Sequence, residues 1–533
     1  MLKANRDSVK MSSLNPLKDA RSTTKADSKA ELKAKELWHR KSGAGYHLFL
    51  EYYQGQPKGV IYNESDVKLV NLSIENGRTI GIDSKRKGEG QSRAAKRRRK
   101  KQKIAPPQNI IPSSCPTTEI VSFDIADKFQ QALQDKKCEY LYPFLSVISR
   151  PLPLTLRIRH QSFTNDEIKK NAQMVIKKLE KYSSLIRPVS YDSSKSTIYQ
   201  AVPGTNLAKF NLGKLSPELK SLILEATASG IMARQELGSM LPVIALTGVG
   251  KLKYGCKLLD MCASPGSKTL QALEVVASPM DGSNISKRKG RVVANDIHPL
   301  RLESLKDAIS RSGVDPVMID RIVFTNHDAS KFPNPKSGSL FDCIIADVPC
   351  SGSGTIRKDP HILPNWLPSI SNSLHELQSC ILKRAIKLLK VGGVVAYSTC
   401  SINPIEDEAV VAAVLSWAND KERESIELIE WPNNSLPGFN LRPGVSSWRV
   451  ADFIDEDDRV KDDEIPRLAW YNSLEQAMEN NMAHAVPTLW PPSGEKAKGL
   501  NLHRCGRLLP QDYDTGGFFV ALLKKNKEFL NVK

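Results

Sequence analysis

Short apolar runs alternate with helix-like segments from Cys256 onward, and this alternation limits the folds that the chain can adopt. The apolar runs read CKLLDMCA, GRVVANDI, RIVFTNHDAS, FDCIIADVPC and GGVVAYSTCS. Segments such as SKTLQALEVV, LRLESLKDAISRSG and SLHELQSCILKRAIKLLK separate them and have helical periodicity. Near-continuous apolar strands that alternate with helices predict a parallel sheet covered on both faces. The sequence therefore predicts an α/β fold for this half of the chain.

Reactive side chains stand where the apolar runs end. Three of these runs have an acid near their end: Asp296, Asp328 and Asp347. The last two runs each end near a cysteine, Cys350 after FDCIIADVP and Cys400 after GGVVAYST. In parallel sheets with helices on both faces, ligands bind beyond the carboxyl ends of the strands. The pattern therefore predicts one cleft lined by three acids and two cysteines.

The first of these strand ends continues into a turn that reads LDMCASPGSKT (Leu259 to Thr269). Gly266 permits a tight turn and a close approach of the backbone to a ligand. The turn is not the phosphate loop GxxxxGK[ST], since Ser267 separates the glycine from Lys268, and it is not GxGxxG. A cofactor with little phosphate fits better than a dinucleotide. An ordinary strand–helix turn is the alternative.

The acids and the cysteines each allow a second interpretation. Asp296 has the spacing of an acid that accepts hydrogen bonds from ribose hydroxyls. Asp328 ends the next strand, where a carboxylate can accept a hydrogen bond from an exocyclic amine. Either could instead cap the following helix. Cys350 and Cys400 could act as a nucleophilic thiolate and its partner, favoured by helix N-termini and by Lys268. They could also be buried apolar side chains or a redox pair.

Charge and cysteine usage narrow the class of protein. The 533 residues carry a net charge of +19, and residues 85–103 hold 11 basic residues against one acid. A polyanionic partner, most simply nucleic acid, explains this charge, and a solubilising surface is the alternative. The nine cysteines are odd in number and include no CxxC pair, so we expect neither a disulfide scaffold nor a metal site. No apolar run suits a signal peptide or a membrane span.

Composition divides the chain into five segments. We predict a disordered N-terminus (1–40), a short ordered segment with an aromatic cluster (41–62), a basic low-complexity insertion (63–118), a smaller RNA-binding region (119–245) and the α/β domain with a C-terminal insertion around 430–512 (246–533). The run at 85–103 reads as a nuclear localisation signal or as an RNA-binding arm.

Two helices are predicted in the 119–245 region. The first begins with a capping box from Thr164 to Glu167. Its apolar residues recur at spacings of four and three, which defines one helix face: Ile168, Ala172, Val175, Leu179 and Tyr182. Lysines occupy its other side, which faces either solvent or RNA. The second helix is predicted over residues 216–237, with Ser216 as its N-cap.

The motifs at the strand ends resemble those of the Sun-domain RNA (cytosine-5) methyltransferases. The matching segments are DMCASPGSKT, ANDI, NHDAS, DVPCSGSGTIRK and YSTCSINPIEDEAVV, with PLPLTLRI, ARQELGSMLP and TGGFFVALLKK outside them. The C-terminal pieces LPGF, RPGVSSW, PTLWPP and HRCGRLLP are similar to those of the tRNA branch. The resemblance spans roughly residues 45–56 and 139–525. It implies a Rossmann-like class I methyltransferase sheet with an antiparallel last strand, preceded by a smaller α+β RNA-binding region, and a nuclear or nucleolar protein that acts on tRNA.

The resemblance also implies roles for individual residues. S-adenosyl-L-methionine would lie over the glycine turn, formed by Cys262, Ala263, Ser264, Pro265, Gly266, Ser267 and Lys268. Asp296 would hold its ribose, Asp328 its adenine amine, and Asp347 would lie between the cofactor and the target base. Cys400 would be the nucleophile and Cys350 the residue that releases the product, with Lys268 in the catalytic group.

The chain departs from the family pattern in the Pro-Cys loop. The tRNA branch usually has an acid between the two glycines of that loop, where this chain has Ser353, and Pro360 and Pro364 alter the continuation. We expect Gly352 and Gly354 to give the loop the slack that admits a flipped base. Three alternatives remain at this point: a ribosomal RNA methyltransferase, a non-catalytic RNA-binding assembly factor on the same scaffold, and a dinucleotide dehydrogenase.

Overall fold

The computed structural model describes two short segments near the amino terminus and most of the chain from residue 141 onward. The described ranges are 45–57, 59–62, 141–159, 166–189, 197–205, 207–209, 211–277, 290–335, 339–421, 424–436, 438–453, 467–494 and 497–528. Three predictions lie outside these ranges: the disordered N-terminus (1–40), the basic insertion (63–118) and the capping role of Thr164.

A small sheet and several helices occupy the first half of the chain. Its elements are α1 (Gly45–Gly55), α2 (Tyr142–Ile148), β1 (Thr155–Ile158), α3 (Asp166–Glu180), β2 (Ile186–Pro188), β3 (Ile198–Ala201), α4 (Leu212–Leu215), α5 (Pro217–Ala228), β4 (Met232–Arg234) and α6 (Leu237–Gly248). The four strands form an antiparallel sheet in the order β2–β3–β1–β4. Strands and helices thus occur together here, as in an α+β arrangement.

Helix α3 has the predicted apolar face. Ala172, Val175 and Leu179 are buried, and Ile168 and Tyr182 pack against the same core. Side chains three and four positions apart lie on one side of a helix, which explains the pattern. The lysines on the other side are all exposed: Lys169, Lys170, Lys177, Lys178 and Lys181.

The helix predicted over residues 216–237 is wrong in its second half. Its start is confirmed, since the Ser216 hydroxyl caps α5. The helix ends at Ala228 because Gly230 follows in the left-handed region, with φ of +74°. The residues after Gly230 then form β4, which pairs with β1. Pairing with a distant strand therefore replaces the helical continuation that local periodicity suggested.

A larger sheet occupies the second half of the chain. Its elements are β5 (Lys257–Asp260), α7 (Ser267–Ala277), β6 (Arg291–Asn295), α8 (Pro299–Ser310), α9 (Pro316–Ile319), β7 (Ile322–Thr325), β8 (Phe341–Asp347), α10 (Pro368–Leu388), β9 (Leu389–Thr399), α11 (Glu408–Lys421), β10 (Ile426–Ile429), β11 (Arg442–Pro443), β12 (Val450–Phe453), β13 (Leu468–Tyr471), α12 (Leu474–Glu479), β14 (Gly506–Leu508), α13 (Pro510–Tyr513) and β15 (Phe518–Lys525). Strands β12 and β13 form a separate pair.

The central part of the large sheet is parallel. Strands β9, β8, β5, β6 and β7 lie side by side in that order, and each adjacent pair is parallel. Strand β15 joins antiparallel to β9, and β14 and β10 pair antiparallel with β15. The predicted parallel sheet with an antiparallel last strand is confirmed. All five parallel strands direct their carboxyl ends to the same edge.

Successive residues of β8 point into two different cores. Ile344 and Ala346 pack with α10 and α11 on one face of the sheet, whereas Cys343 and Ile345 pack with α6, α7 and α8 on the other. All four side chains are fully buried, because helices cover both faces of a central parallel strand. Among the described helices, none is both long and apolar enough to cross a membrane.

The aromatic cluster near the amino terminus packs against the larger domain. Helix α1 buries Phe49, Tyr52 and Tyr53, and the rings of all three lie within 6.0 Å of the Trp366 ring, centroid to centroid. The hydroxyl of Tyr52 donates a hydrogen bond of 2.9 Å to Oδ1 of Asn403. This helix therefore contributes to the core behind the loop that follows β9.

Candidate active site

The two cysteines of the sequence motifs meet at the carboxyl edge of the parallel strands. Cys350 lies in the loop after β8 and Cys400 directly follows β9, and their Sγ atoms are 3.2 Å apart. A hydrogen bond to Cys400, with burial as the second cause, raises the pKa of Cys350 well above its ordinary value. Cys350 therefore keeps its proton, and its thiol can donate a hydrogen bond to Cys400 Sγ.

A charged pair lies beside the thiols. Lys268 Nζ, in the first turn of α7, is 2.7 Å from Asp347 Oδ2 at the end of β8. The hydroxyl of Ser398 donates to the other carboxylate oxygen at 2.7 Å. Burial alone would lower the pKa of Lys268, but the attraction of Asp347 outweighs it, so the pKa is raised and the amine is cationic.

Asp260, which we did not predict as a site residue, lies next to this pair at the end of β5. Its side chain is buried and accepts from the Thr269 hydroxyl at 2.7 Å. Burial raises the pKa of Asp260 to about 7, since the Thr269 bond lowers it less and Asp347 raises it further. The sequence does contain a signal for Asp260, because this acid ends the apolar run KLLD.

The glycine turn is held closely against its neighbours. Gly266 has φ of +107°, and a Cβ there would lie 2.4 Å from Cδ1 of Leu305 on α8. The amide of Ala263 donates to the Asn295 carbonyl at 2.7 Å, which links the turn to the end of β6. Both observations explain the glycine, and they leave the backbone of residues 262–266 at the edge where a ligand would bind.

Asp296 and Asp328 follow the neighbouring strands β6 and β7. Asp296 is 2% exposed and accepts from the His298 amide at 3.0 Å. Asp328 is more open, and its Oδ1 accepts from the amide and the hydroxyl of Ser330. Asp328 therefore does cap the turn after it, one of the two interpretations that the sequence allowed, and its second oxygen lies 4.0 Å from Lys331 Nζ.

Asn295, another residue absent from our prediction, ties these two strand ends together. Its amide group donates to the carbonyls of Met261 and His327 at 3.0 and 2.9 Å. Its Oδ1 accepts from the His327 amide and from the Thr325 hydroxyl, each at 3.0 Å. The relative position of the strand ends after β5, β6 and β7 is thus fixed by one buried side chain.

The expectation that glycines loosen the Pro-Cys loop is wrong for Gly354. Its amide donates to the Cys400 carbonyl at 2.9 Å, and its carbonyl accepts from Gly517 at 2.7 Å. A Cβ at this position would lie 2.3 Å from the Gly517 oxygen and 2.7 Å from the Cys400 oxygen. The glycine is therefore needed for close packing between two backbones. Ser353 is also buried, and its hydroxyl accepts from the Ile402 amide at 3.1 Å.

The first half of the chain is joined to the site by two buried arginines. Arg157 on β1 forms a bidentate pair with Glu274 on α7, at 2.5 and 3.0 Å. Arg357, which follows the Pro-Cys loop, donates to the carbonyls of Arg150 and Pro151 at 3.0 and 2.8 Å. The small antiparallel sheet is therefore anchored beside the glycine turn and the loop of Cys350. Within the part of the chain that the structure describes, no group of three or more His, Cys, Asp or Glu residues is arranged to hold a metal ion.

The parallel sheet with an antiparallel last strand is the fold that the Sun-domain resemblance implied. The family model described as 16S rRNA methyltransferase RsmB/F matches residues 251–441, which include the glycine turn, Asp347 and both cysteines. The match covers about a third of the chain and agrees with the Sun-domain resemblance of the motifs.

Three curated relatives are similar over longer stretches. A multisite-specific tRNA:(cytosine-C(5))-methyltransferase of Schizosaccharomyces pombe is 33% identical in an alignment of 432 residues that covers 75% of this chain and 58% of the relative. A tRNA (cytosine(34)-C(5))-methyltransferase of Drosophila melanogaster is 37% identical over 58% of this chain and 38% of the relative. A multisite-specific enzyme of Saccharomyces cerevisiae is 37% identical over 57% and 40%. The chain thus spans between about two fifths and three fifths of these relatives.

Proposed function

We propose that this protein transfers a methyl group from S-adenosyl-L-methionine to C5 of cytosine in tRNA. The observation that carries the proposal is the 3.2 Å approach of Cys350 and Cys400 beside the Lys268–Asp347 pair. A redox pair would need two thiols but not the neighbouring acid and ammonium. The similarity to tRNA (cytosine-C5) methyltransferases supports the choice of substrate.

The residues at the strand ends suit S-adenosyl-L-methionine. The glycine turn would hold the amino acid part through its backbone, Asp296 the ribose hydroxyls and Asp328 the adenine amine, since carboxylates accept from both kinds of group. The absence of a second and third turn glycine agrees with a cofactor that has no pyrophosphate. When bound, the cofactor supplies an electrophilic methyl group on a sulfonium centre.

Cys400 would start the reaction because C5 of cytosine is too weak a nucleophile by itself. Its thiolate adds to C6, and the electron pair displaced from the C5–C6 bond makes C5 enamine-like, so that C5 can accept the methyl group. Protonation of N3 absorbs the developing charge. The Lys268 ammonium, held in place by the Asp347 carboxylate, would donate that proton.

Cys350 would act after the methyl group has been transferred. The hydrogen bond to Cys400 favours the protonated form of Cys350, and this bond is weakened when Cys400 becomes a thioether. The thiol of Cys350 can then lose its proton and remove the proton from C5. The electrons of the C5–H bond restore the C5–C6 double bond and expel Cys400 as a thiolate. The proton on N3 returns to its donor, and the products are methylated RNA, S-adenosyl-L-homocysteine and one proton.

RNA would reach this cleft across the first half of the chain. The exposed lysines of α3 provide positive charge for the phosphate backbone, and the anchored antiparallel sheet lies next to the Pro-Cys loop. The target cytosine must leave its stack to reach the thiols, which single-stranded or looped RNA permits at the smallest cost.

Incorporation of labelled methyl groups tests the proposal. The wild-type protein should methylate tRNA, the Cys400→Ala variant should be inactive, and Cys380→Ala, which changes an exposed cysteine, should keep the wild-type rate. Bisulfite sequencing should place the product at C5 of cytosine. A wild-type protein that binds the cofactor but methylates no RNA would contradict the proposal.

The description of the family model favours ribosomal RNA as a second candidate substrate. A competition assay decides between the two substrates. It offers small-subunit rRNA fragments and total tRNA together at equal concentrations of cytosine. Faster methylation of the rRNA fragments would replace tRNA in the proposal and leave the chemistry unchanged.

A further inference from the structure

The carboxyl group of Glu406 is fully buried between the two cysteine loops and accepts five hydrogen bonds. Its Oε1 accepts from the Ser351 amide at 2.8 Å and from Gln378 Nε2 at 3.1 Å. Its Oε2 accepts from the hydroxyls of Ser351, Ser371 and Ser401 at 2.5, 3.0 and 2.6 Å. The five donors are neutral groups: one backbone amide, one side-chain amide and three hydroxyls.

These bonds join three separate parts of the chain. Ser351 directly follows Cys350, and Ser401 directly follows Cys400. Ser371 and Gln378 belong to α10, and Gln378 Nε2 also donates to the Pro349 carbonyl at 2.9 Å. One side chain therefore connects both cysteine loops to each other and to a long helix of the core.

We propose that Glu406 is a positioning residue that sets the distance between the two thiols. The inference rests on the proposed function, because it takes Cys350 and Cys400 as the reacting groups. Two loops that follow different strands have no covalent reason to hold their cysteines 3.2 Å apart. A carboxylate that accepts from the residue after each cysteine fixes both loops in one arrangement, and α10 keeps that arrangement fixed relative to the sheet.

A role in folding alone would leave the distance between the thiols unchanged in a folded variant. The rate at which the two thiols form a disulfide measures their approach without RNA or cofactor. Diamide takes two electrons and two protons from the pair as the S–S bond forms. Peptide mass spectrometry can quantify the Cys350–Cys400 disulfide as a function of time, so the test does not depend on methyl transfer.

Three variants separate the alternatives. Glu406→Ala removes the acceptor, and the milder double change Ser351→Ala with Ser401→Ala removes one donor from each loop while keeping the carboxyl group. Ser371→Ala is the matched control, because it removes a bond from α10 and leaves both loops attached. Glu406→Gln is the conservative variant, since the three hydroxyls on one side can rotate and accept from its amide.

We expect disulfide formation to slow at least 10-fold in the double-serine variant and in Glu406→Ala, and to stay within about 3-fold of wild type in Ser371→Ala and Glu406→Gln. Wild-type disulfide rates in the folded double-serine variant would overturn the inference. Methylation assays on the same samples distinguish failure of the positioning role from failure of the proposed function. Slowed disulfide formation with an inactive wild type would refute the proposed function alone, and unchanged disulfide rates with an active wild type would refute the positioning role alone.

Discussion

Lys268 Nζ lies 2.7 Å from Asp347 Oδ2, and this pair joins the glycine turn after β5 to the end of β8. The turn would hold the methyl donor, and β8 leads into the loop of Cys350. The two residues thus connect the cofactor side of the site to the base side. The ammonium is cationic because its attraction to Asp347 outweighs the cost of burial.

Removal of this cation should slow methyl transfer. In Lys268→Met the charge that develops at N3 would lose its cationic partner, so we expect the single-turnover rate to fall about 100-fold. Lys268→Arg should recover part of the rate because it keeps the charge. Lys306→Met, which changes an exposed cation paired with Glu303, is the control. A Lys268→Met enzyme with the wild-type rate would exclude a role for the pair in catalysis.

Asp260 should make stability depend on pH. Its folded pKa of about 7 lies above the ordinary value of 3.8, so the folded state holds the proton more tightly than the unfolded state does. Binding of this proton adds roughly 4 kcal/mol to the free energy of unfolding below about pH 4, and this contribution is lost as the pH rises to about 7.

Asp260→Asn removes this titration and checks the sign. The melting temperature of the variant should rise relative to wild type between pH 5 and pH 8, as measured by scanning calorimetry. If the melting temperatures of wild type and variant differ by the same amount at every pH in that range, Asp260 does not titrate there. Asp307→Asn, on the surface helix α8, provides the matched control.

Gly354→Ala should inactivate the enzyme without loss of cofactor binding. The added Cβ would lie 2.3 Å from one backbone oxygen and 2.7 Å from that of Cys400, so the Cys400 loop must move. A displacement of the nucleophile by about 1 Å can cost on the order of 100-fold in rate. Calorimetric titration with the cofactor should give the wild-type Kd while single-turnover methylation falls. Unchanged activity would mean that the two loops can separate without effect.

The lysine face of α3 should contribute to RNA affinity through charge alone. Replacing Lys169, Lys170, Lys177 and Lys178 with Gln should weaken tRNA binding and reduce the slope of log K against log salt by about one per lysine that contacts a phosphate. Filter binding between about 50 and 200 mM salt measures both. The alternative, a solvated helix face, predicts an unchanged slope.

The sequence predicted the sheet and the strand-end residues because both depend on short-range patterns. Near-continuous apolar runs identify strands that are buried on both faces, and a residue that ends such a run must lie at the ligand-binding edge. Cys350, Cys400 and Asp347 needed no further information to be placed there. The apolar face of α3 was equally predictable from spacing alone.

Residues that act through distant contacts were not predictable in this way. Glu406 receives hydrogen bonds from residues 35 and 55 positions earlier, and Asn295 joins strand ends that only the fold brings together. The tight packing of Gly354 depends on Gly517, more than 160 positions later. The periodicity of residues 216–237 predicts a helix that continues past Gly230, but the chain turns there and forms β4, which pairs with the distant strand β1.

The assignment of the two cysteines is tested most directly by trapping the covalent intermediate. With Cys350→Ala, methyl transfer should proceed to the thioether and stop, because no second thiol removes the C5 proton. A protein–tRNA adduct that survives denaturing electrophoresis should accumulate, and peptide mapping should place it on Cys400. Cys400→Ala should form no adduct. A stable adduct on Cys350 in the Cys400→Ala variant would contradict the account and reverse the two roles.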